Sequence, residues 1–505
     1  MTYTFGDGFD LYATLPDAGS SYWDSAVSSA ASASLGTGRF TGGQAVCMVV
    51  NGTVPALILQ KSSGSNDAVH HISCAFTQNA TLSAVALGFF LQLIDGSTPQ
   101  CSIVFRSDGT ILLTSGGPTG STLATYSSAF AANTWTAYEF EVVINNATGS
   151  FTVRKNGNSS ADFTATSLAT RGGTSNNYAN KLQLGLQSSS GSPFNLNSQT
   201  QRIDDLLWRS DASSVSWAGD LRCLTRMPAT DSSVQFTKST TTGSQTVSTG
   251  PNAGGITANE GRYMPFTATF TGTISGAQVV VSTANAGGMK CAIYANSGSA
   301  PTTVLGTATA LGSIAVGTNA FTFGSPVSVT LGTQYWLAFE SDTTGGNWSQ
   351  NNSNTVGIKA TTAYASFPAA NPTATTAQIT VQCSLTYTLS TNAMMTAESQ
   401  QDGLTTYVSD STVGHNDLYT IGSLSSTPAS TFMVTTRGFA EKTDAGTRLG
   451  AVQVKSGTTT VQSTSTALNT SFGWIYRTDL TDPNTSTTWT NTAVNALLIG
   501  PVVTG

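Results

Sequence analysis

The sequence predicts an all-β protein. Short runs rich in β-branched and aromatic residues recur along its 505 residues and are separated by Gly, Asn and Asp turns. No stretch shows the periodicity of a convincing amphipathic helix. Only 9% of the residues are charged, against about 25% in a typical soluble protein. Ser, Thr, Gly, Ala and Asn therefore provide a surface that is polar without being ionic.

The first 210 residues contain the clearest strands. In TAYEFEVVI (136–144) alternate residues are apolar, which places Glu139 and Glu141 on the wet side of a strand. The chain then turns through 145–149 into SFTVRKNG (150–157), and the two segments predict a hairpin. A second tight Asp-Gly turn in RSDGTI (106–111) predicts another hairpin.

The order of these elements resembles a concanavalin A-like jelly roll, in particular its laminin-G-like members. The matching pieces are SIVFRSDGTILL (102–113), WTAYEFEVVIN (135–145), FTVRKNGN (151–158) and RIDDLLWRSD (202–211). The resemblance covers residues 1–211 and implies that the last strand returns to pair near FGDGFDLY (5–12).

The doublet Asp204 and Asp205 raises the question of a catalytic pair. Successive strand residues point to opposite faces, whereas a retaining glycosidase needs carboxyl groups about 5 Å apart facing one cleft. A structural role is therefore favoured over a catalytic one. The laminin-G-like resemblance leaves a third alternative, in which one aspartate joins Asp7 or Asp10 at a calcium ion, although the sequence gives no ligand set.

A separate block interrupts the rest of the chain. Residues 239–392 open with a Ser/Thr/Gly-rich stretch and contain KCAIYAN (290–296) and QYWLAFES (334–341), which alternate as strands do. The block resembles a β-sandwich module that is often attached to surface and carbohydrate-associated proteins. We predict that it is inserted into a β-sandwich-like C-terminal domain formed by 212–238 and 393–505.

The C-terminal segment resembles the closing domain of tailed-bacteriophage virion proteins. Three motifs occur in the same order as in those proteins: EKTDAGTR (441–448), TDPNTSTTWT (481–490) and VNALLIG (494–500). The charges of the first motif flank an Ala-Gly pair and predict a hairpin tip. The resemblance implies a location in the virion after synthesis in the bacterial cytoplasm, contacts with other virion proteins, and a homo-oligomer whose symmetry, a trimer or another, the sequence does not fix.

Charge and hydropathy exclude several classes of function. The formal net charge is −6, the pI is about 5.0, and no Lys/Arg run occurs, which argues against nucleic-acid binding. No apolar run reaches about 18 residues, so no membrane insertion is predicted. The N-terminal MTYTFGDGFDLY has neither a basic nor an apolar signal region. The cysteines form no CxxC or Cys/His cluster, so most are predicted to be buried thiols, with no metal site and no cofactor.

No catalytic residues are predicted, and the protein is not expected to be an enzyme. Of the histidines, His70 and His71 begin a strand, so one should face solvent and the other the sandwich; no nucleophile elbow accompanies any histidine. A polysaccharide-degrading activity stays open as an alternative. Its first candidates would be Glu139, Glu141 and the aspartate doublet.

Carbohydrate binding needs exposed aromatic rings with short polar side chains beside them. Trp348 lies among Asn347 and Asn351 in GGNWSQNNSN (345–354), which reads as a loop, and Trp23 lies in SSYWDS (20–25). For both tryptophans the alternative is burial. Three others should lie in strands and belong to the core: Trp135, Trp208 and Trp336.

Together these features predict a bacteriophage virion structural protein, a tail or head fibre that contacts host glycans. A decoration or cement protein without receptor binding and a polysaccharide-degrading appendage enzyme are the alternatives.

Overall fold

The computed structural model forms two compact units. One contains Met1–Met227 and Ser411–Gly505, and the other contains Pro228–Ala397 and Gly403–Asp410. The structure describes residues 3–12, 14–19, 22–26, 33–40, 43–49, 56–79, 87–127, 129–186, 200–214, 216–239, 242–330, 332–353, 356–361, 363–368, 372, 376–378, 380–389, 391–397, 404, 406–424 and 428–505. The first and last of the regions predicted from the sequence thus share one unit.

The first unit begins with the jelly roll. Its elements are β1 (Tyr3–Asp7), α1 (Leu15–Ala18), β2 (Ser25–Ala26), β3 (Ala33–Thr37), β4 (Gln44–Val49), β5 (Ala56–Asp67), β6 (Val69–Gln78), β7 (Leu87–Asp95), β8 (Thr98–Arg106), β9 (Ile111–Ser115), β10 (Thr122–Tyr126), β11 (Thr136–Val143), β12 (Gly149–Lys155), β13 (Phe163–Leu168), β14 (Ala179–Leu186) and β15 (Thr200–Asp211).

Two antiparallel sheets face each other across a core. One has the order β13-β12-β11-β6-β15-β4-β3 with β1 paired to β15, and the other has the order β10-β9-β8-β7-β14-β5-β2. Phe76 of the first sheet stacks on Phe105 of the second with ring centroids 4.3 Å apart. The predicted hairpins β8–β9 and β11–β12 are confirmed, and so is the pairing of the last strand with the first.

The inserted unit is a second β-sandwich. Its elements are β16 (Pro228–Ser233), β17 (Thr237–Lys238), β18 (Thr242–Ser248), β19 (Asn252–Gly255), β20 (Glu260–Thr267), β21 (Gly272–Thr283), β22 (Met289–Ser297), β23 (Ala300–Thr307), β24 (Gly317–Val329), β25 (Gln334–Ser341), β26 (Asn347–Asn351), β27 (Gly357–Thr361), a 3-10 turn (Tyr364–Ser366), β28 (Thr376–Gln378), β29 (Thr380–Val381), β30 (Cys383–Leu389), α2 (Asn392–Met395) and β31 (Val408–Ser409).

Its two main sheets also enclose an apolar core. One has the order β18-β30-β21-β26-β19 with β24 on β21, and the other has the order β23-β22-β25-β20-β27-β28. Phe321 and Phe339 meet between them with ring centroids 5.5 Å apart. The predicted fold class, an all-β chain with a jelly roll and an inserted β-sandwich, is confirmed.

The C-terminal segment adds short strands to the first unit. Its elements are β32 (Leu418–Ile421), β33 (Val434–Ala440), β34 (Leu449–Ser456), β35 (Thr459–Gln462), β36 (Thr466–Ala467), β37 (Gly473–Asp479), the single-turn helix α3 (Asn491–Asn495) and β38 (Leu498–Val503). Strand β33 pairs with β37, whereas β34 pairs with β35, β36 and β38. The prediction that 441–448 forms a hairpin tip is therefore wrong, because the segment joins strands of different sheets.

Helices contribute little to either unit. Each helix in the described ranges is a single turn of three to five residues. None of them has the length and hydropathy that a membrane-spanning helix requires.

Candidate functional site

Charged residues gather on the face of the first jelly-roll sheet that points away from the core. In β11 the even-numbered residues enter the core, which leaves Glu139 and Glu141 on the opposite side. The strand register places Glu141 between His71 of β6 and Thr152 of β12, and it places Glu139 beside Arg154 of β12. We call His71, Glu139, Glu141 and Arg154, together with Trp217 described next, the outer-face cluster.

Trp217 packs against this charged face. Its ring lies over the Arg154 guanidinium, 4.0 Å from the ring centroid, and meets the edge of His71 at 4.5 Å. Nε2 of His71 lies 2.7 Å from Oε2 of Glu141, while Nδ1 of His71 is buried and has no hydrogen-bond partner within the described ranges. Glu141 keeps 26% of its side chain exposed and Trp217 is half-buried. The aromatic ring of Trp217 and the accessible carboxylate of Glu141 therefore contact the same imidazole.

Trp217 belongs to a segment, residues 216–225, that crosses the outer face without regular secondary structure and that we call the strap. The backbone N–H of Ala218 donates to Glu139 at 2.5 Å. Arg39 donates from Nη1 and Nη2 to the two carboxylate oxygens of Asp220, at 2.8 and 3.0 Å. Charged residues of the jelly roll thus hold the strap in place by charge-assisted hydrogen bonds.

The aspartate doublet lies at a β-bulge. The register of β15 shifts between Asp204 and Leu207, and Asp205 has a φ of 52°. The backbone N–H of Arg39 donates to Asp204 at 2.7 Å, while Nη1 of Arg39 lies 3.5 Å from Asp205. The N–H of Cys223 in the strap also donates to Asp205, at 2.8 Å. The prediction that the two side chains point to opposite faces is wrong, because the bulge turns both towards Arg39.

The carboxylates of this region already have protein partners. Burial raises the pKa of Asp204, and the charge of Asp205 raises it further; burial also raises the pKa of Asp205, against the lowering effect of the Cys223 N–H and Arg39. Asp10 accepts from the Gln44 N–H at 2.7 Å and the Thr225 hydroxyl at 2.9 Å. These bonds support a structural role, and no group of three or more Asp, Glu, His or Cys side chains among the described residues is arranged to hold a metal ion.

Trp23 is an internal residue. It is fully buried, and its Nε1 donates to Oδ2 of Asp7 at 2.7 Å. The Tyr12 hydroxyl donates to the same oxygen at 2.5 Å, and Nη2 of Arg437 in β33 lies 3.2 Å from Oδ1. The prediction that Trp23 stacks on a sugar is therefore wrong, because both its ring and its N–H are committed to this buried network.

Trp348 is also internal. It lies in strand β26 rather than in a loop and is 1% exposed within the core of the inserted unit. Its predicted role as a stacking platform is wrong for that reason. Asn347 and Asn351 are half-buried at the two ends of β26, where Asn347 donates to the Thr283 hydroxyl at 3.1 Å and Asn351 accepts from the Ser353 N–H at 3.0 Å. Carbohydrate binding by these asparagines stays a prediction.

The remaining predictions on aromatic residues have mixed outcomes. Trp208 and Trp336 are buried as predicted, whereas Trp135 is half-buried and precedes β11. His70 is fully buried, and burial lowers its pKa to about 4. His71 does not face solvent as one of the pair was expected to, because Trp217 covers it.

The cysteines follow the prediction. All six are free thiols, buried except for the half-buried Cys223.

Sequence reasoning missed Trp217. The residue follows the last jelly-roll strand in SSVSWAGD (213–220), a polar segment that our sequence analysis groups with the C-terminal domain. The large aromatic residue in this otherwise polar segment was the available signal, because a tryptophan with few apolar neighbours in the chain has to pack on another surface.

No protein-family model matches the chain, and no curated protein matches it significantly. An alginate lyase is similar in structure at a TM-score of 0.28 and 12% identity, covering 41% of this chain and 97% of that one. A carbohydrate esterase from Shiga toxin-encoding bacteriophage phi24B gives 0.26 and 15%, covering 42% and 98%. The winged bean acidic lectin gives 0.24 and 9%, covering 42% and 98%. Similarities this weak support no conclusion about ligand or activity.

Proposed function

We propose that this protein is a structural protein of a tailed-bacteriophage virion, displayed as a tail or head fibre, and that it contacts host surface glycans through the outer-face cluster of its jelly roll. The observation that carries the glycan part is the half-buried Trp217 ring beside the accessible carboxylate of Glu141.

The chemistry of this cluster suits a saccharide. An indole ring packs on the apolar face of a sugar, and a carboxylate accepts hydrogen bonds from sugar hydroxyls. Arg154 lies under the Trp217 ring and fixes its position, and Glu141 is held by His71. Because these groups are already ordered, little conformational entropy is lost when a sugar binds.

The virion part of the proposal rests on the C-terminal motifs and on the surface composition. A surface with few ionic groups and many hydroxyls favours weak contacts with sugars, and several copies in one particle would raise avidity without a strong single site. The expected partners are other virion proteins and further copies of this chain.

A glycan array probed with the full chain tests the glycan part. Trp217→Ala should reduce binding at least about tenfold, while Trp135→Ala, a half-buried tryptophan elsewhere in the same unit, should leave it unchanged. Equal binding by the two variants would place any glycan site elsewhere. Labelling purified phage particles with an antibody against this chain tests the virion part; surface labelling without any glycan binding would favour a decoration or cement protein.

One observation favours a second candidate, a glycan-cleaving appendage enzyme. His71 and Glu141 lie 2.7 Å apart, a distance at which a carboxylate and an imidazole can exchange a proton. Incubation with host polysaccharide should then release new reducing ends. Glu141→Gln should abolish the release, while Asp444→Asn, which changes an exposed carboxylate of the same unit outside the cluster, should leave it unchanged. Polysaccharide that stays intact with the wild-type chain rejects this candidate.

A further inference from the structure

The second sheet of the inserted unit is apolar on both sides. In β25, Leu337 and Phe339 enter the core, while Trp336, Ala338 and Glu340 point the opposite way. We call the side opposite the core the back face. It carries a cluster of its own that is separate from the core cluster, with Tyr263, Tyr294 and Trp336 as its large rings.

Small residues form the floor of the back face. Ala292 lies opposite Ala338 on the neighbouring strand, and Gly261 lies opposite Ala360. The rings of Tyr263 and Tyr294 stand above this floor with centroids 5.4 Å apart in an edge-to-face arrangement. On the other side, Nε1 of Trp336 donates to Asn296 at 2.8 Å, which fixes the indole.

Glu340 points over this floor. A Cβ atom placed on Gly261 would lie 3.2 Å from Oε2 of Glu340 and 3.0 Å from the Tyr263 hydroxyl. Glu340 is 0% exposed, and neither of its oxygens has a hydrogen-bond partner among the described residues. Burial raises the pKa of its carboxyl to about 7, against the lowering effect of Lys290. A buried carboxyl without a hydrogen bond is unfavourable, so the position of Glu340 calls for a donor.

The nearest cation is committed elsewhere. Lys290 faces Glu340 across β22 and β25, but its Nζ donates to the carbonyls of Tyr364 and Phe367, at 2.7 and 3.2 Å. The Asn259 side chain accepts from the Tyr364 N–H at 2.8 Å. These bonds fix the single turn Tyr364–Phe367, whose Phe367 ring packs on the back face.

We propose that the back face is a binding site for one uncharged saccharide ring, whose neighbouring hydroxyls donate to the oxygens of Glu340 while its apolar face lies against the aromatic rings. An acidic ligand is disfavoured because Lys290 is occupied and Glu340 would repel it. Tyr263, Tyr294 and Trp336 are 0%, 0% and 2% exposed, so the Tyr364–Phe367 turn has to move aside before a sugar can reach them. This site is independent of the outer-face cluster and does not rest on the function proposed for that cluster.

Saturation-transfer NMR on the full chain tests the site, with D-galactose, D-glucose, L-rhamnose and N-acetyl-D-glucosamine as probes. At least one sugar should give a signal that Glu340→Gln weakens at least about tenfold and that Trp135→Ala, outside both proposed sites, leaves unchanged. Lys290→Met should speed association, because it releases the covering turn.

Four results would overturn the proposal. The first is that no probe sugar binds the wild-type chain, and the second is that Glu340→Gln, folded by circular dichroism, binds as well as wild type. The third is that no sugar binds while choline binds to wild type and not to Glu340→Gln, since that would make the back face a cation site. Loss of the signal in Trp217→Ala with full retention in Glu340→Gln would assign the sugar to the outer-face cluster and reject the back face.

Discussion

The outer face of the jelly roll and the back face of the inserted unit differ in how their buried carboxylates are hydrogen-bonded. Each is the side of a sheet that points away from a sandwich core, and each is covered by a short segment of the same unit. On the outer face, the strap supplies an N–H to Glu139 and another to Asp205. On the back face, Phe367 supplies a ring, and Glu340 receives no hydrogen bond from the part of the chain that the structure describes.

The difference separates structural carboxylates from candidate functional ones. A buried carboxylate that accepts backbone N–H bonds stabilises the fold, since removal of either partner leaves an unpaired group behind. A buried carboxyl without partners reduces stability, and its presence therefore needs another explanation. By this criterion Glu139 and Asp205 are structural, whereas Glu340 is the group to examine for a ligand.

The largest expected effect concerns Asp7, the most completely bonded of the buried carboxylates. Asp7→Ala removes the acceptor of Trp23 and leaves Arg437 buried without its counter-ion, which should destabilise the first unit by about 4 kcal/mol. Calorimetry of the full chain would show this as a lowered Tm. As a control, Asp444→Ala removes the exposed ion pair between Asp444 and Arg448 and should leave the Tm unchanged.

Should Asp7→Ala fail to fold, Asp7→Asn keeps one acceptor and removes only the charge, so a smaller loss is expected. A Tm that neither variant lowers would show that this network adds nothing to stability, and the contrast with Glu340 would then lose its reference.

The pH dependence of Glu340 comes next. The pKa of its carboxyl rises from 4.5 to about 7 on folding, so its contribution to stability is fully present below pH 4.5 and is lost as pH rises through about 7. Between those values the change is about 3 kcal/mol. The neighbouring Tyr294 and Tyr364 do not titrate in this range, because burial raises their pKa values above the ordinary tyrosine value of 10.0.

Hydrogen exchange of the β25 amides in the full chain measures this effect. Wild type should be more protected at pH 5 than at pH 8, and Glu340→Gln should remove most of that difference and be the more protected chain at pH 8. Glu260→Gln in the same unit, whose carboxylate is paired with Arg262 and Lys359, is the matched control and should keep the wild-type pH difference. A wild-type protein with flat protection across this range would mean that Glu340 is already partnered.

The sequence predicted what depends on alternation and missed what depends on backbone irregularity. The apolar residues at even positions in 136–144 identified strand β11 and its core side, because the period of a strand is fixed. The same rule failed at Asp205, where a positive φ interrupts the alternation. It failed again at Trp348, because a strand whose apolar residue stands alone among Asn, Ser and Gln looks like a loop.

The candidate sites were less predictable than the fold. Glu139 and Glu141 could be singled out by type and spacing, but Trp217 reaches them only through the path of the strap, which no local pattern encodes. Glu340 sits in a strand of alternating apolar residues, and only the full register shows that its neighbours across the sheet are Lys290 and a glycine.

The smallest expected effect is local and concerns the strap. Arg39→Ala removes the two bonds to Asp220 and the one to the Leu221 carbonyl, at 2.8, 3.0 and 3.2 Å, together with the contact to Asp205. The loss should be about 1 kcal/mol, since Arg39 is half-buried, its partner Asp220 is exposed, and the strap keeps its bond to Glu139. Trypsin should then cut after the exposed Arg222 faster than in wild type, because local opening of the strap precedes cleavage.

Arg448→Ala, which removes an exposed ion pair far along the chain, should leave that rate unchanged. Equal cleavage in Arg39→Ala and wild type would mean that the strap is held by the Trp217 ring rather than by its ionic bonds. An aromatic ring would then hold the covering segment on the outer face, just as the Phe367 ring packs on the back face.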